Sequence, residues 1–146
     1  TVLSESVAAR LRDYGLKCTG VQIHLRDNKL ASITRQKKIK KPTYLSNDIL
    51  DAAMELLEAN YSWLNPIRSV GVRAIDLVTE NNYIELSLFD DNERIIQQEN
   101  LAHTIDVLRS RFGCDAILRA SCLLDSSLTG FNPKEDHTIH PVSYFR

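Results

Sequence analysis

From Thr19 to Arg26 the chain alternates strictly, with Val21, Ile23 and Leu25 on one parity and Gln22, His24 and Arg26 on the other. Successive side chains of an extended strand point to opposite faces, so this pattern predicts a strand with one face on a core and the other open to water or a ligand. Asp27-Asn28 supplies turn chemistry, and Ala31 to Ile39 reads as the returning strand of a hairpin, with Ser32, Thr34, Gln36 and Lys38 on its polar parity. Lys40-Lys41-Pro42 is expected to end that strand. The stretch 67–78 (IRSVGVRAIDLV) alternates again, Val70, Val72 and Ala74 opposing Ser69, Gly71 and Arg73.

Helical spacing fills the intervals. Leu3, Val7, Leu11 and Tyr14 predict a helix over 2–14 that stops at Gly15, a residue suited to a left-handed C-terminal position. Ser46, Asn47 and Asp48 offer capping oxygens ahead of Ile49, Ala53, Leu56 and Leu57, and Pro66 lies beyond that helix. Leu101, Ile105, Leu108 and Phe112 give a third helix, about 93–112, ended by Gly113, and 116–124 reads as one more short helix. Thr129 to Arg146, with Gly130, Pro133 and Pro141, reads as irregular or extended. The predicted class is α+β: an antiparallel sheet with helices packed on one face, followed by a mainly helical C-terminal tail. Tyr61 and Trp63 are expected to cover the core.

A chain of 146 residues buries about 68–70% of its surface and supports one core. No apolar run approaches the roughly 18 residues of a membrane span, and no basic-then-apolar leader opens the chain, so a soluble cytoplasmic protein is expected. Thr1 stands where a start methionine would, with a helix already under way, so the chain reads as a piece of something longer. Cys18, Cys114 and Cys122 lack CxxC spacing and fit a reducing compartment.

The net charge is only −1, but the signs are segregated. Lys17, Arg26, Lys29, Arg35, Lys37, Lys38, Lys40 and Lys41 face Asp27 alone, whereas 85–99 holds five acids against Arg94. A sheet face with Lys, Arg, hydroxyls and small residues can follow a phosphate backbone, and the lack of outward aromatics argues against readers that stack bases. The competing reading is a lysine-rich edge that only keeps a strand soluble and unpaired. His24 on the polar face reads as a phosphate neighbour or a neutral surface residue. Asp136, His137 and His140 raise a remote prospect of metal, at poor spacing for ligands.

The ordered run SESVAARLRDYGLKCTGVQIHLRDNKLASITRQKKIKKPT, ILDAAMELLEA and IRSVGVRAIDLV resembles the little-finger domain of Y-family (UmuC/DinB-like) translesion DNA polymerases over residues 1 to about 79. LSLFDD, the RFG after the third helix, and FNPKEDHTIHPVSYF are similar to the C-terminal extension of bacterial UmuC-type members, which assigns 80–146 to that extension. The resemblance implies a noncatalytic domain that binds duplex primer-template DNA, in a parent polymerase of DNA repair, damage tolerance and the SOS response. The Mg-dependent palm of that parent lies outside this sequence, so no cofactor is expected here and the chain itself is not an enzyme. The family domain opens with a further strand before its first helix, and this sequence begins after it. By position the family's DNA contacts fall on Thr34, Arg35, Arg68, Ser69, Gly71 and Arg73; charge adds Lys37, Lys38, Lys40 and Lys41. Parity places Arg35 and Arg68 off the polar face, so they reach DNA only from strand ends.

Glu85-Leu86-Ser87-Leu88-Phe89 resembles the QLSLF-type peptide with which bacterial polymerases bind the sliding clamp, with Glu85 where that peptide has Gln. A carboxylate donates no hydrogen bond, so weaker binding is expected; the alternative is an edge strand of the same core. A different class of function, a protein-interaction adaptor without DNA affinity, also fits the charge map.

Overall fold

The computed structural model describes residues 1–80, 92–125 and 129–130. The elements run α1 (Val2–Asp13), β1 (Leu16–Asp27), β2 (Ser32–Thr43), α2 (Ser46–Asn60), β3 (Ile67–Thr79) and α3 (Asn92–Phe112), followed by short 3-10 turns at Cys114–Ala116 and Ala120–Leu124. The strands form one antiparallel sheet in the order β2-β1-β3. Gly15, at φ +62°, occupies the left-handed position after α1 that a Cβ would disfavour.

Alternation sets the two faces. Val21, Ile23 and Leu25 of the central strand are sealed, and with Ala8 and Leu11 of α1 and Ile49, Ala52, Ala53 and Leu56 of α2 they make the core. Each buried Ile or Leu of that set contributes about 1.5–3 kcal/mol. Val72 and Ala74 of β3 and Ile33 of β2 pack against the same side, as their parity predicts. Asp27 organises the hairpin turn, its Oδ1 accepting the backbone N–H of Lys29 and of Ala31, both at 2.9 Å.

Four expectations need correction. First, β2 does not stop at Lys40-Lys41-Pro42. Its pairing passes from Gly20↔Lys38 to Cys18↔Thr43, so residues 39–42 form a bulge opposite Thr19, with Ile39 packed against the core. Pro42, with no N–H, is tolerated where the ladder is already broken. Second, α2 has Leu45 at its N-cap and no side-chain cap. Asp48 instead accepts from Thr43 Oγ1 at 2.6 Å, and Arg119 takes Asn47 Oδ1 and Ser46 Oγ at 2.6 and 2.7 Å. Third, Tyr61 packs on the core but Trp63 does not: at φ +57° it is 63% exposed, and its ring meets that of Tyr61 edge-on at 5.4 Å. Fourth, no single helix spans 116–124, because the backbone at Arg119 is extended (φ −74°, ψ 142°), which carries its guanidinium to Glu5.

The tail helix departs from its expected packing in a more informative way. Leu101 and Phe112, from its apolar row, are 59% and 63% exposed. α3 docks instead through Ala102 and a polar stripe of Glu99, His103, Asp106 and Arg109. Arg12 holds Asp106 with two N–H groups at 2.5 and 2.9 Å and donates to Tyr44 O at 3.0 Å. Lys17 pairs with Glu99 at 2.7 Å above the Tyr44 ring, and Glu5 receives both Arg109 and Arg119. A third helix is therefore fastened to α1 and to the start of β1 by charge, on the side away from the open face of the sheet.

Two sealed acids make the fold alkali-sensitive. Burial pushes the Cys18 thiol from its ordinary 9.0 up to about 11, its Sγ donating to Thr43 O at 3.4 Å. Burial also raises the Tyr44 phenol, helped by the carboxylates of Glu99 and Glu80. The unfolded chain releases these protons first, so their contribution is intact below pH 9 and is lost as pH rises through the folded value. Urea unfolding at stepped pH should show up to about 2–3 kcal/mol lost on this account between roughly pH 9 and 11, reduced in Cys18→Ala.

Candidate nucleic-acid interface

Among the described residues, no helix packs on the other parity of the sheet. Cross-strand pairing sets out its rows: Gln36–Gln22–Arg73, Thr34–His24–Gly71 and Ser32–Arg26–Ser69, with Lys38 beside Gly20. Thr34, Lys38, Ser69 and Arg73 are all exposed, as are His24 and Arg26. Gln22 Nε2 donates to Gln36 Oε1 at 3.0 Å, and His24 Nδ1 lies 3.0 Å from Thr34 Oγ1. These side-chain bonds tie β1 to β2 across the open face. Gln22, His24, Thr34, Gly71, Val72 and Arg73 line a shallow depression of about 300 Å³ on it.

The face has amide, hydroxyl, imidazole and cationic groups, and no Asp, Glu, Phe, Tyr or Trp in these rows. That inventory suits repeated anionic oxygens and offers nothing flat on which to stack a base.

The sequence-derived residues divide by face. Thr34, Lys38, Ser69, Gly71 and Arg73 share the open one. Arg35 lies opposite Ile23 and donates to Asn60 Oδ1 at 3.2 Å, while Lys37 lies opposite Val21 and pairs with Glu55 of α2. Both therefore sit on the helix side of the edge strand. Arg68 falls at the β3 register shift between Ser69 and Ile67, exposed at the strand end. Lys40 and Lys41 belong to the bulge of β2. Lys17, counted in the basic segment, is buried in its ion pair with Glu99 and adds nothing to the face. Arg26 and Gln36 belong to the open face but not to the family-derived set; the period-two parity of the hairpin was the signal for them.

Glu85, Leu86, Ser87, Leu88 and Phe89 lie outside the described residues, as do Asp136, His137 and His140. Among the described residues no group of three or more His, Cys, Asp or Glu side chains is placed to hold a metal ion, and no helix is long and apolar enough to cross a membrane.

Residues 1–88 match the impB/mucB/samB family C-terminal domain. Among curated proteins, the chain is 35% identical over 127 residues to a DNA polymerase IV of Acetivibrio thermocellus, covering 87% of this chain and 32% of the relative. It is 31% identical over 131 residues to that of Clostridium kluyveri, covering 86% and 32%. It is 34% identical over 112 residues to DNA polymerase IV 1 of Halalkalibacterium halodurans, covering 76% and 27%. The chain thus spans about a third of the length of these relatives. Helices on one face of an antiparallel sheet, a basic open face and a family match over more than half of the sequence agree, and the chain belongs to the impB/mucB/samB C-terminal domain family, the little-finger domain of Y-family DNA polymerases.

Proposed function

We propose that the open face of the β2-β1-β3 sheet holds the sugar-phosphate backbone of a primer-template duplex without reading its bases, as a noncatalytic grip serving a Y-family polymerase in DNA damage tolerance. The observation that carries this reading is the exposed parity itself: Arg26, Lys38 and Arg73 beside Ser32, Thr34 and Ser69, with no carboxylate in the paired rows. Cations and hydroxyls matched to phosphate oxygens fix position on a duplex but carry no sequence information. Such a grip tolerates a damaged base because no base edge is examined. The relatives are DNA polymerases by name and this chain spans about a third of their length, so in this proposal the polymerase chemistry, with Mg as its metal, resides in a palm that these residues do not include.

Titrating the chain with labelled primer-template duplex across a salt series tests this. About 3 to 6 neutralised phosphates, at roughly 0.9 per contact, give a slope of log affinity against log salt of about −3 to −5, equal for unrelated sequences. A flat salt dependence, or no duplex affinity, removes the grip and leaves the adaptor reading. The QLSLF-like stretch Glu85–Phe89 supplies, in the same proposal, a contact to the sliding clamp, weakened by the glutamate; Glu85→Gln should tighten it.

A further inference from the structure

We propose that Trp63 is a stacking platform for the unpaired template strand that adjoins the duplex, so that the domain favours a primer-template junction over a blunt duplex. This rests on the DNA-grip reading and goes beyond it by assigning a second contact, off the paired rows of the sheet and made to bases instead of phosphates. Trp63 is the one tryptophan of the chain, it is 63% exposed, and its backbone lies at φ +57°. A bulky residue in the left-handed region is a genuine outlier, kept only where its surroundings over-determine it. Here they do. Tyr61 packs on the core and its hydroxyl donates to Asn65 O at 2.6 Å, Asn65 Nδ2 donates to Asp27 Oδ2 at 3.0 Å, and the Asn28 N–H donates to Pro66 O at 3.0 Å. The loop after α2 is thereby bolted to the hairpin turn, and the Tyr61 ring meets the indole edge-on and leaves most of it in water. A large apolar ring gains by burial, yet the fold fixes this one outward on a rigid loop.

The charge around the loop selects the occupant. Arg26 Nε donates to Leu30 O at 3.4 Å, which lays its guanidinium along the hairpin turn, while Lys29 in that turn and Arg68 at the start of β3 are exposed. Asp27 is the only acid in residues 27–31 and 61–66, and it is buried with its carboxylate taken up by three N–H donors. An exposed indole among cations suits a polyanion that also carries flat rings. Every base has a π-face, so stacking tolerates any sequence, and it requires that the base be unpaired. Ser32–Arg26–Ser69 is the last row of the open face at this end of the sheet, and the two joined turns lie just past it. A strand that runs along the face and leaves the duplex at this end meets the indole next.

Anisotropy at fixed ionic strength compares a blunt duplex, the same duplex with a template overhang of about four thymidines, and that overhang with abasic sites in place of its bases, which keeps the phosphates. Wild type should bind the base-bearing overhang about 5- to 30-fold more tightly than the abasic one, with quenching of the Trp63 fluorescence. Trp63→Ala should bind the two overhangs equally, and Trp63→Tyr should keep most of the preference. Trp63→Gly should lose the preference yet keep or raise the melting temperature, because glycine accepts the left-handed backbone. Equal wild-type affinity for the two overhangs assigns the indole to a protein partner and overturns the platform while the grip stands; a preference that survives in Trp63→Ala overturns it too. Absence of wild-type affinity for any of the probes overturns the grip reading itself.

Discussion

Arg73→Glu is expected to weaken duplex binding about 10- to 30-fold near 0.1 M salt and to reduce the magnitude of the salt slope by about 1. Arg73 is exposed in the middle of β3, opposite Gln22 and next to the Gly71 depression, and it is one of the open face's three cations in the paired rows, with Arg26 and Lys38. Reversal removes a phosphate contact and places a carboxylate against the remaining phosphates. Both effects oppose binding to every sequence alike. An exposed charge away from the core leaves stability within about 0.5 kcal/mol, so the loss is read on a folded protein. Lys37→Glu is the control: its ammonium pairs with Glu55 on the helix side, so the same change of charge should cost little DNA affinity. Equal losses from the two substitutions would mean that affinity follows net charge and that the assignment of faces is wrong.

That control also shows why some of the site was legible from sequence and some was not. A period of two is a geometric property of a strand, so Val21, Ile23 and Leu25 against Gln22, His24 and Arg26 fixed the core and open sides of β1 without tertiary information. The same parity separated Thr34 from Arg35 and Gly71 from Val70. Composition is blind to this: Lys17, Lys37 and Lys38 count equally in a charge sum, yet one is buried against Glu99, one faces α2 and one shares the open face. The docking of α3 was illegible for a related reason. Its apolar row is the usual signal for a buried helix face, but the partners waiting for it on α1 and β1 are Arg12, Lys17 and Glu5. The stripe that answers them is Glu99, Asp106 and Arg109, and which charged stripe docks is decided by the surface it meets. Trp63 went astray because only the positive φ after α2 turns it outward.

Asp106→Ala carries the largest expected effect on stability. The Arg12 side chain is 7% exposed, held by both oxygens of Asp106 and by Tyr44 O, and its guanidinium lies 5.9 Å from the Tyr44 ring centroid. Truncating the aspartate leaves a desolvated cation with one neutral acceptor, a situation that costs about 3–5 kcal/mol when a buried pair loses one member. Asp106 itself is 24% exposed, so water can reach the vacated side and the lower end of that range is expected. Removing both partners has a different consequence. Arg12→Met with Asp106→Leu exchanges the pair for apolar contact, and such exchanges are often neutral or stabilising by about 1–4 kcal/mol. Urea unfolding of the single and double variants should therefore give losses of opposite rank to the number of substitutions. Because α3 packs away from the open face, the double variant should bind duplex DNA as the parent does. A single variant no less stable than the parent would show that the Arg12–Asp106 contact does not hold α3 in solution, and a double variant that loses DNA affinity would show that the docked helix shapes the grip from behind.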